Sequence, residues 1–191
     1  MNRFRSTLVL LVASLALAGC GYNAIQRYDE AANQARGQIS VQLQRRADLI
    51  PNLVNTVKGF AKQELDVFTQ VTEARAGLNS ALKSGDLKQM ASANDQLTGA
   101  LSKLMVTVEA YPQLKSDQNF LRLQDELAGT ENRIAVARTD YNDAVQKYNA
   151  YIRQFPELVT AKVTGAKPRE YFALQTPGAA TVPAVDFNKK Q

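Results

Sequence analysis

Apolar residues recur along this chain at intervals of seven, with a second row three or four positions away. Phe120, Leu127, Ile134, Tyr141, Tyr148 and Phe155 form one such row, flanked by Leu123, Ala137, Ala144 and Tyr151. That spacing lines one face of a long helix and buries it against a neighbour. A second seam runs through Met90, Leu97, Leu104 and Tyr111 beside Leu101 and Val108, and a third through Ile50, Val57, Glu64, Val71 and Leu78 beside Leu53, Phe60 and Val67. The first is weaker: Ile25, Ala32, Ile39 and Arg46, with Tyr28, Ala35 and Leu49. No segment alternates with period two for long enough to predict a strand.

Breaks between the seams have local causes. Ser84-Gly85-Asp86 provides a glycine stop, then an Asp N-cap with Gln89 three residues on. Pro112 ends the third helix, and Ser116 or Asp117 can cap the fourth. Pro51 fits either the first turn of a new helix or a kink in one long helix. The hairpin is the favoured reading, because it yields four helices with short connections. The expected fold is therefore all-α, an antiparallel up-down four-helix bundle with long helices over residues 20–155. Residues 156–191 hold four prolines and isolated apolar residues, so they read as an extended C-terminal tail.

Residues 1–19 read as a lipoprotein signal peptide. Arg3 and Arg5 precede the apolar run from Leu8 to Leu17, which ends in Leu17-Ala18-Gly19-Cys20. A charged start, a short apolar stretch and small residues at the end form a secretory signal, and a bilayer span would need about 20 apolar residues. The four residues ending in Cys20 resemble a bacterial lipobox, in which the cysteine is acylated and becomes the new N-terminus. Cys20 is the one cysteine of the 191 residues. The membrane is thus the first expected partner, through lipidated Cys20, on the non-cytoplasmic side of a bacterial envelope. Gly21 in place of an Asp retention signal favours the outer membrane over the inner.

Composition narrows the chemistry. The chain has no histidine, which removes Ser-His-Asp and Cys-His nucleophile pairs and any His-containing zinc or di-iron site. Removing Arg3 and Arg5 from the 23 basic residues leaves 21 against 18 acidic, well interspersed. Nucleic-acid binding needs a clustered basic face, and none is evident. No cofactor, metal or nucleic acid is expected.

Polar residues in the seams are the remaining candidates. Arg46 and Glu64 occupy apolar rows, while Glu131 and Arg138 lie seven apart beside the last seam. Asn142 and Asn149 each follow a seam tyrosine, and Tyr22-Asn23 repeats the pair. Such groups could form a carboxylate centre. A hydrogen-bonded network that pins helix register is the stronger reading, since buried lone charges cost several kcal/mol and must be paired. An up-down path with a hairpin at Pro51 also brings the Pro51 and Pro112 turns to one pole. That pole, with Arg45, Asp48, Asn52, Tyr111 and Gln113, is the expected partner-binding region.

The run Val41-Gln42-Leu43-Gln44-Arg45-Arg46-Ala47-Asp48-Leu49-Ile50-Pro51-Asn52-Leu53-Val54 resembles the signature of the LemA family. The likeness continues through Val57-Lys58-Gly59-Phe60, Glu64, Ala74-Arg75, Glu109-Ala110-Tyr111-Pro112-Gln113-Leu114-Lys115, Phe120-Leu121-Arg122-Leu123-Gln124 and Glu131-Asn132-Arg133-Ile134 to Ala137-Arg138. It closes with Tyr141-Asn142, Tyr148-Asn149 and Phe155-Pro156, covering about residues 22–187 in the family's order. The resemblance implies an N-terminal membrane anchor followed by an antiparallel helical bundle, with no assigned catalytic residues. Two departures stand out: a lipid site where many members carry a transmembrane helix, and Val163-Thr164-Gly165-Ala166 where the family is more aromatic. The function expected is a non-catalytic, lipid-anchored scaffold or adaptor. The alternative is an accessory subunit of a membrane enzyme such as a protease, and an enzyme with a polar core site comes third.

Overall fold

The computed structural model describes the backbone of residues 2–61 and 65–172, and side chains from residue 21 onward. Its described elements are all helical: α1 (Asn2–Phe60), α2 (Leu65–Ser84), α3 (Leu87–Val108), α4 (Pro112–Lys115), α5 (Gln118–Tyr151) and α6 (Glu157–Thr164). The all-α class holds; among the described residues there are six helices, two of them short, and the four-helix up-down bundle is not confirmed. By internal contact the chain divides into two units, one joining residues up to Leu49 with Arg122–Phe172 and one spanning Ile50–Leu121.

The first correction concerns Pro51, which lies inside α1 rather than at a hairpin. A proline within a helix removes one backbone hydrogen bond and crowds the carbonyl four residues back. Apolar positions on both sides outweigh that local cost. Leu43, Ala47 and Ile50 before it, and Leu53, Val54 and Val57 after it, are all buried. Packing carries the helix through the proline.

In the first unit α1 and α5 run antiparallel. Ile25 meets Tyr148 and Ile152 near one end, and Arg45 and Arg46 meet Glu126 and Glu131 near the other. Ala32, Ile39 and Leu43 from α1 and Leu127, Ile134, Tyr141 and Val145 from α5 are buried in its core. The second correction concerns residues 156–191, expected as an extended tail. Glu157–Thr164 form α6, which seats Ala161 in a cluster with Ile25, Tyr148 and Ile152. Pro156 and Pro168 leave eleven residues between them free to fold, and Gly165, at φ 74°, supplies the left-handed residue that ends the helix. Residues 165–172 then continue without helix, and 173–191 lie outside the described residues.

In the second unit α2 and α3 form a hairpin. Gly85 takes φ 68°, and the Asp86 carboxylate accepts from the backbone N–H of Lys88 at 2.8 Å and Gln89 at 3.1 Å. α3 stops before Pro112, which opens the single turn of α4, and the Asp117 carboxylate then accepts from the N–H groups of Asn119 and Phe120, both at 2.9 Å. Both turns fall where the glycine and the proline place them.

Candidate functional site: an asparagine clamp on paired helices

The most elaborate polar arrangement in the described residues lies on the first unit, where residues 165–172 lie back along α5. Asn149 holds Arg169 by its backbone alone: the Arg169 N–H donates to Asn149 Oδ1 at 2.8 Å, and Asn149 Nδ2 donates to the Arg169 carbonyl at 2.9 Å. Asn142 repeats the device on Phe172, accepting its N–H at 2.8 Å and donating to its carbonyl at 3.2 Å. Between them the Tyr141 hydroxyl donates to the Glu170 carbonyl at 2.9 Å.

Geometry explains why two asparagines seven residues apart grip residues three apart. Seven residues of helix advance about 10.5 Å. Three residues of extended chain advance about 10 Å. The two rulers coincide, so a heptad-spaced pair of primary amides can satisfy successive stretches of an extended backbone running antiparallel to the helix.

Side chains fix which segment is held. The Arg169 guanidinium donates from Nε to Asp29 Oδ1 at 2.7 Å and from Nη2 to Asn33 Oδ1 at 2.8 Å, and it lies 5.8 Å from the Tyr148 ring centroid. The Asp29 carboxylate accepting from it holds its pKa above the ordinary arginine range. Phe172 is buried, with the Arg138 guanidinium 4.7 Å from its ring centroid. Burial pushes the Tyr141 phenol above its ordinary value of 10.0, more than the nearby charges of Arg169 and Arg36 lower it. A phenol held protonated in this way is a hydrogen-bond donor at neutral pH, not a base.

The other polar seam residues fall as follows. Arg46 is buried, and its Nη1 lies 2.6 Å from Glu131 Oε2, whose side chain is half exposed. Arg138 is not part of that pair; it covers Phe172. Glu64 and the side chain of Cys20 lie outside the described residues. Of the five expected pole residues, Arg45 and Asp48 belong to the first unit, and Asn52, Tyr111 and Gln113 to the second. Arg45 pairs with Glu126 at 3.0 Å, Asp48 accepts from Gln44 at 2.8 Å, and Tyr111 precedes α4.

Sequence reasoning singled out Asn142 and Asn149 but not what they hold. Asp29, Asn33, Arg169 and Phe172 were missed, although Arg169-Glu170-Tyr171-Phe172 is a dense charged and aromatic run soon after α6. Tyr22-Asn23, the third such pair, is exposed and takes no part. Among the described residues no group of three acidic or cysteine side chains converges as a metal set. A hollow of about 450 Å³ between α2 and α3, lined by residues such as Ser80, Lys88 and Gln96, is shallow and brings no acid and base together.

A family model described as the LemA family matches residues 35–187. The chain belongs to the LemA family. The matched span contains both clamp asparagines, Tyr141 and the held segment, whereas Asp29 and Asn33 precede it. The chain is also similar to two proteins named Magnetosome protein MamQ 1 and MamQ 2 of Paramagnetospirillum magneticum, each 29% identical, with 88% of this chain and 70% of each relative covered. Magnetosome protein MamQ of Magnetospirillum gryphiswaldense is 28% identical, over 85% of this chain and 68% of the relative.

Proposed function

We propose that this LemA-family chain is a non-catalytic, lipid-anchored envelope protein that serves as a scaffold or adaptor for other membrane or envelope proteins. The observation that carries the reading is how the polar groups of the first unit are used. Asn142, Asn149 and Tyr141 are committed to backbone groups of the chain itself, and Arg46 to Glu131. Groups so engaged hold a shape. They are poorly suited to proton transfer or nucleophilic attack, which need a base within reach of a free substrate site.

The anchor is read from Leu17-Ala18-Gly19-Cys20 at the end of a short apolar run, with the outer membrane favoured by Gly21. Two or more acyl chains hold a protein stably, at about 0.8 kcal/mol per buried methylene.

Three experiments test this. Metabolic labelling with an alkyne fatty acid should mark the wild type and not Cys20→Ala; equal labelling refutes the anchor. Photo-crosslinkers placed singly at Arg45, Asp48, Asn52, Tyr111 and Gln113 of the full chain in intact cells should capture a recurring set of envelope proteins. An enzyme would reveal itself otherwise. A Glu64→Gln variant that stays fully stable yet loses all phenotype contradicts the scaffold reading.

A further inference from the structure

α6 packs against α1 around Gly21 and Ile25. Thr160 Oγ1 comes within 3.3 Å of where a Cβ on Gly21 would stand, and Ala161 is buried beside Ile25. These residues define the inner side of the helix. On the outer side, Val159 is 55% exposed and Val163 83%, four residues apart and therefore on one face. Phe155, just before the helix, is 83% exposed, and Leu158 and Tyr22 are also open to solvent. Single exposed apolar residues such as Val41, Val106 and Val136 occur elsewhere and need no explanation. Five large ones around a two-turn helix do.

The charges nearby are mainly basic. Arg153, Lys162 and Lys167 are exposed around this face, against Glu157 at the start of the helix. Gly21, which α6 touches, directly follows Cys20 and the apolar run Leu8–Leu17. Whether acyl chains on Cys20 or that run itself holds the chain, the lipid surface begins within about one helical turn of the contact with α6.

We infer that α6 and Phe155 form an interfacial membrane-binding face, with Phe155, Val159 and Val163 buried at the boundary of headgroups and acyl chains and Arg153, Lys162 and Lys167 among anionic headgroups. An eight-residue helix is about 12 Å long, too short to span a bilayer but suited to lying in its interface. Anionic lipid attracts each basic side chain that reaches it, and tethering through the N-terminus raises the local concentration of this face so that weak affinity suffices. The inference rests on the membrane attachment proposed above, though not on which group provides it. Through Ala161 and Ile25, the face would fix how the paired helices of the first unit stand on the membrane.

The chain has no tryptophan, so single indoles report cleanly. Val159→Trp and Val163→Trp are made in the full-length protein, with Val136→Trp as control, because Val136 is also well exposed, at 60%, but lies on α5 about 22 Å along the helix from Tyr151. Each is purified from membranes, checked for unchanged helicity, and reconstituted into phosphatidylcholine and phosphatidylglycerol vesicles with and without shallow-brominated lipid. Bromolipid should quench the indoles at 159 and 163 at least about two-fold, as expected at interfacial depth, and leave that at 136 unchanged. Quenching at 159 and 163 no greater than at 136 overturns the inference. So does an emission that is blue-shifted in native membranes yet unquenched by bromolipid, which would mean a protein covers the face. Mass spectrometry of Cys20 in the same samples reads the anchor separately. Unmodified Cys20 with quenched indoles refutes the lipid anchor alone, and acylated Cys20 with unquenched indoles refutes the α6 face alone.

Discussion

Replacing Asn149 with alanine should unfasten the segment around Arg169 while leaving the paired helices folded. Asn149 is buried and makes two hydrogen bonds to the backbone of one residue, at 2.8 and 2.9 Å. Each such bond contributes about 0.5–1.5 kcal/mol net, and a buried group left without its partner costs about 1–3 kcal/mol. The segment can escape the second cost by releasing into water, so the loss is that of the two bonds, about 1–3 kcal/mol. At about 1.4 kcal/mol per decade, the Arg169 and Phe172 amides should exchange roughly 5–140 times faster with deuterium in Asn149→Ala. Amides at the centre of α5 should be unaffected. Because Asn142 holds Phe172 in the same way, Asn142→Ala should accelerate the same two amides, and the double variant should cost less than the two single effects added, since a released segment has nothing further to lose. Fully additive effects, or wild-type Arg169 and Phe172 amides already exchanging at unprotected rates, would refute the clamp.

Several other changes have signs that follow directly from the geometry. Pro51→Ala should raise the urea midpoint by the equivalent of about 1–3 kcal/mol, since alanine restores a hydrogen bond and removes a clash inside a helix; a fall would favour a turn at that position. Glu131→Ala should destabilise by about 1–3 kcal/mol by removing one charged partner of buried Arg46, less than the 3–5 kcal/mol of a fully buried pair because Glu131 is half exposed, whereas Glu126→Ala should cost under about 1 kcal/mol. Equal melting shifts in the two variants would contradict that difference. For the phenols the sign is set by burial: Tyr141 and Tyr148 are raised in the fold above the ordinary value of 10.0, so the stabilisation present below pH 10 should fade as pH rises past it. Tyr141→Phe should flatten that alkaline decline in a pH series of denaturation curves, and an identical decline in the variant would refute it.

Most of the helical seams were legible because burial on one face leaves a seven-residue trace, and Ile134, Tyr141, Tyr148, Leu97 and Leu104 are indeed buried. Gly85 and Pro112 were legible for a different reason, since each acts through its own backbone. Pro51 misled because its effect on a helix is local and modest, while the packing that overrides it is tertiary and not encoded at the proline. Glu157–Thr164 misled because prolines at 156, 168, 177 and 183 were read as one proline-rich stretch, although the first two leave room for two turns. The clamp was half legible. Tyr-Asn pairs at heptad spacing marked one partner, but a primary amide that grips backbone leaves no side-chain signature on the other. Asp29 and Arg169, 140 positions apart, could be joined only by the fold.

The adaptor reading is tested most directly by comparing, in intact cells, what the wild type and Cys20→Ala touch. Photo-crosslinkers at Asp48 and Gln113 in both backgrounds, followed by mass spectrometry of the adducts, should show the wild type capturing the same few envelope proteins in repeated experiments and Cys20→Ala losing them at equal cellular abundance. An unchanged set of adducts without Cys20, or no protein adduct in either background, would contradict a lipid-anchored adaptor.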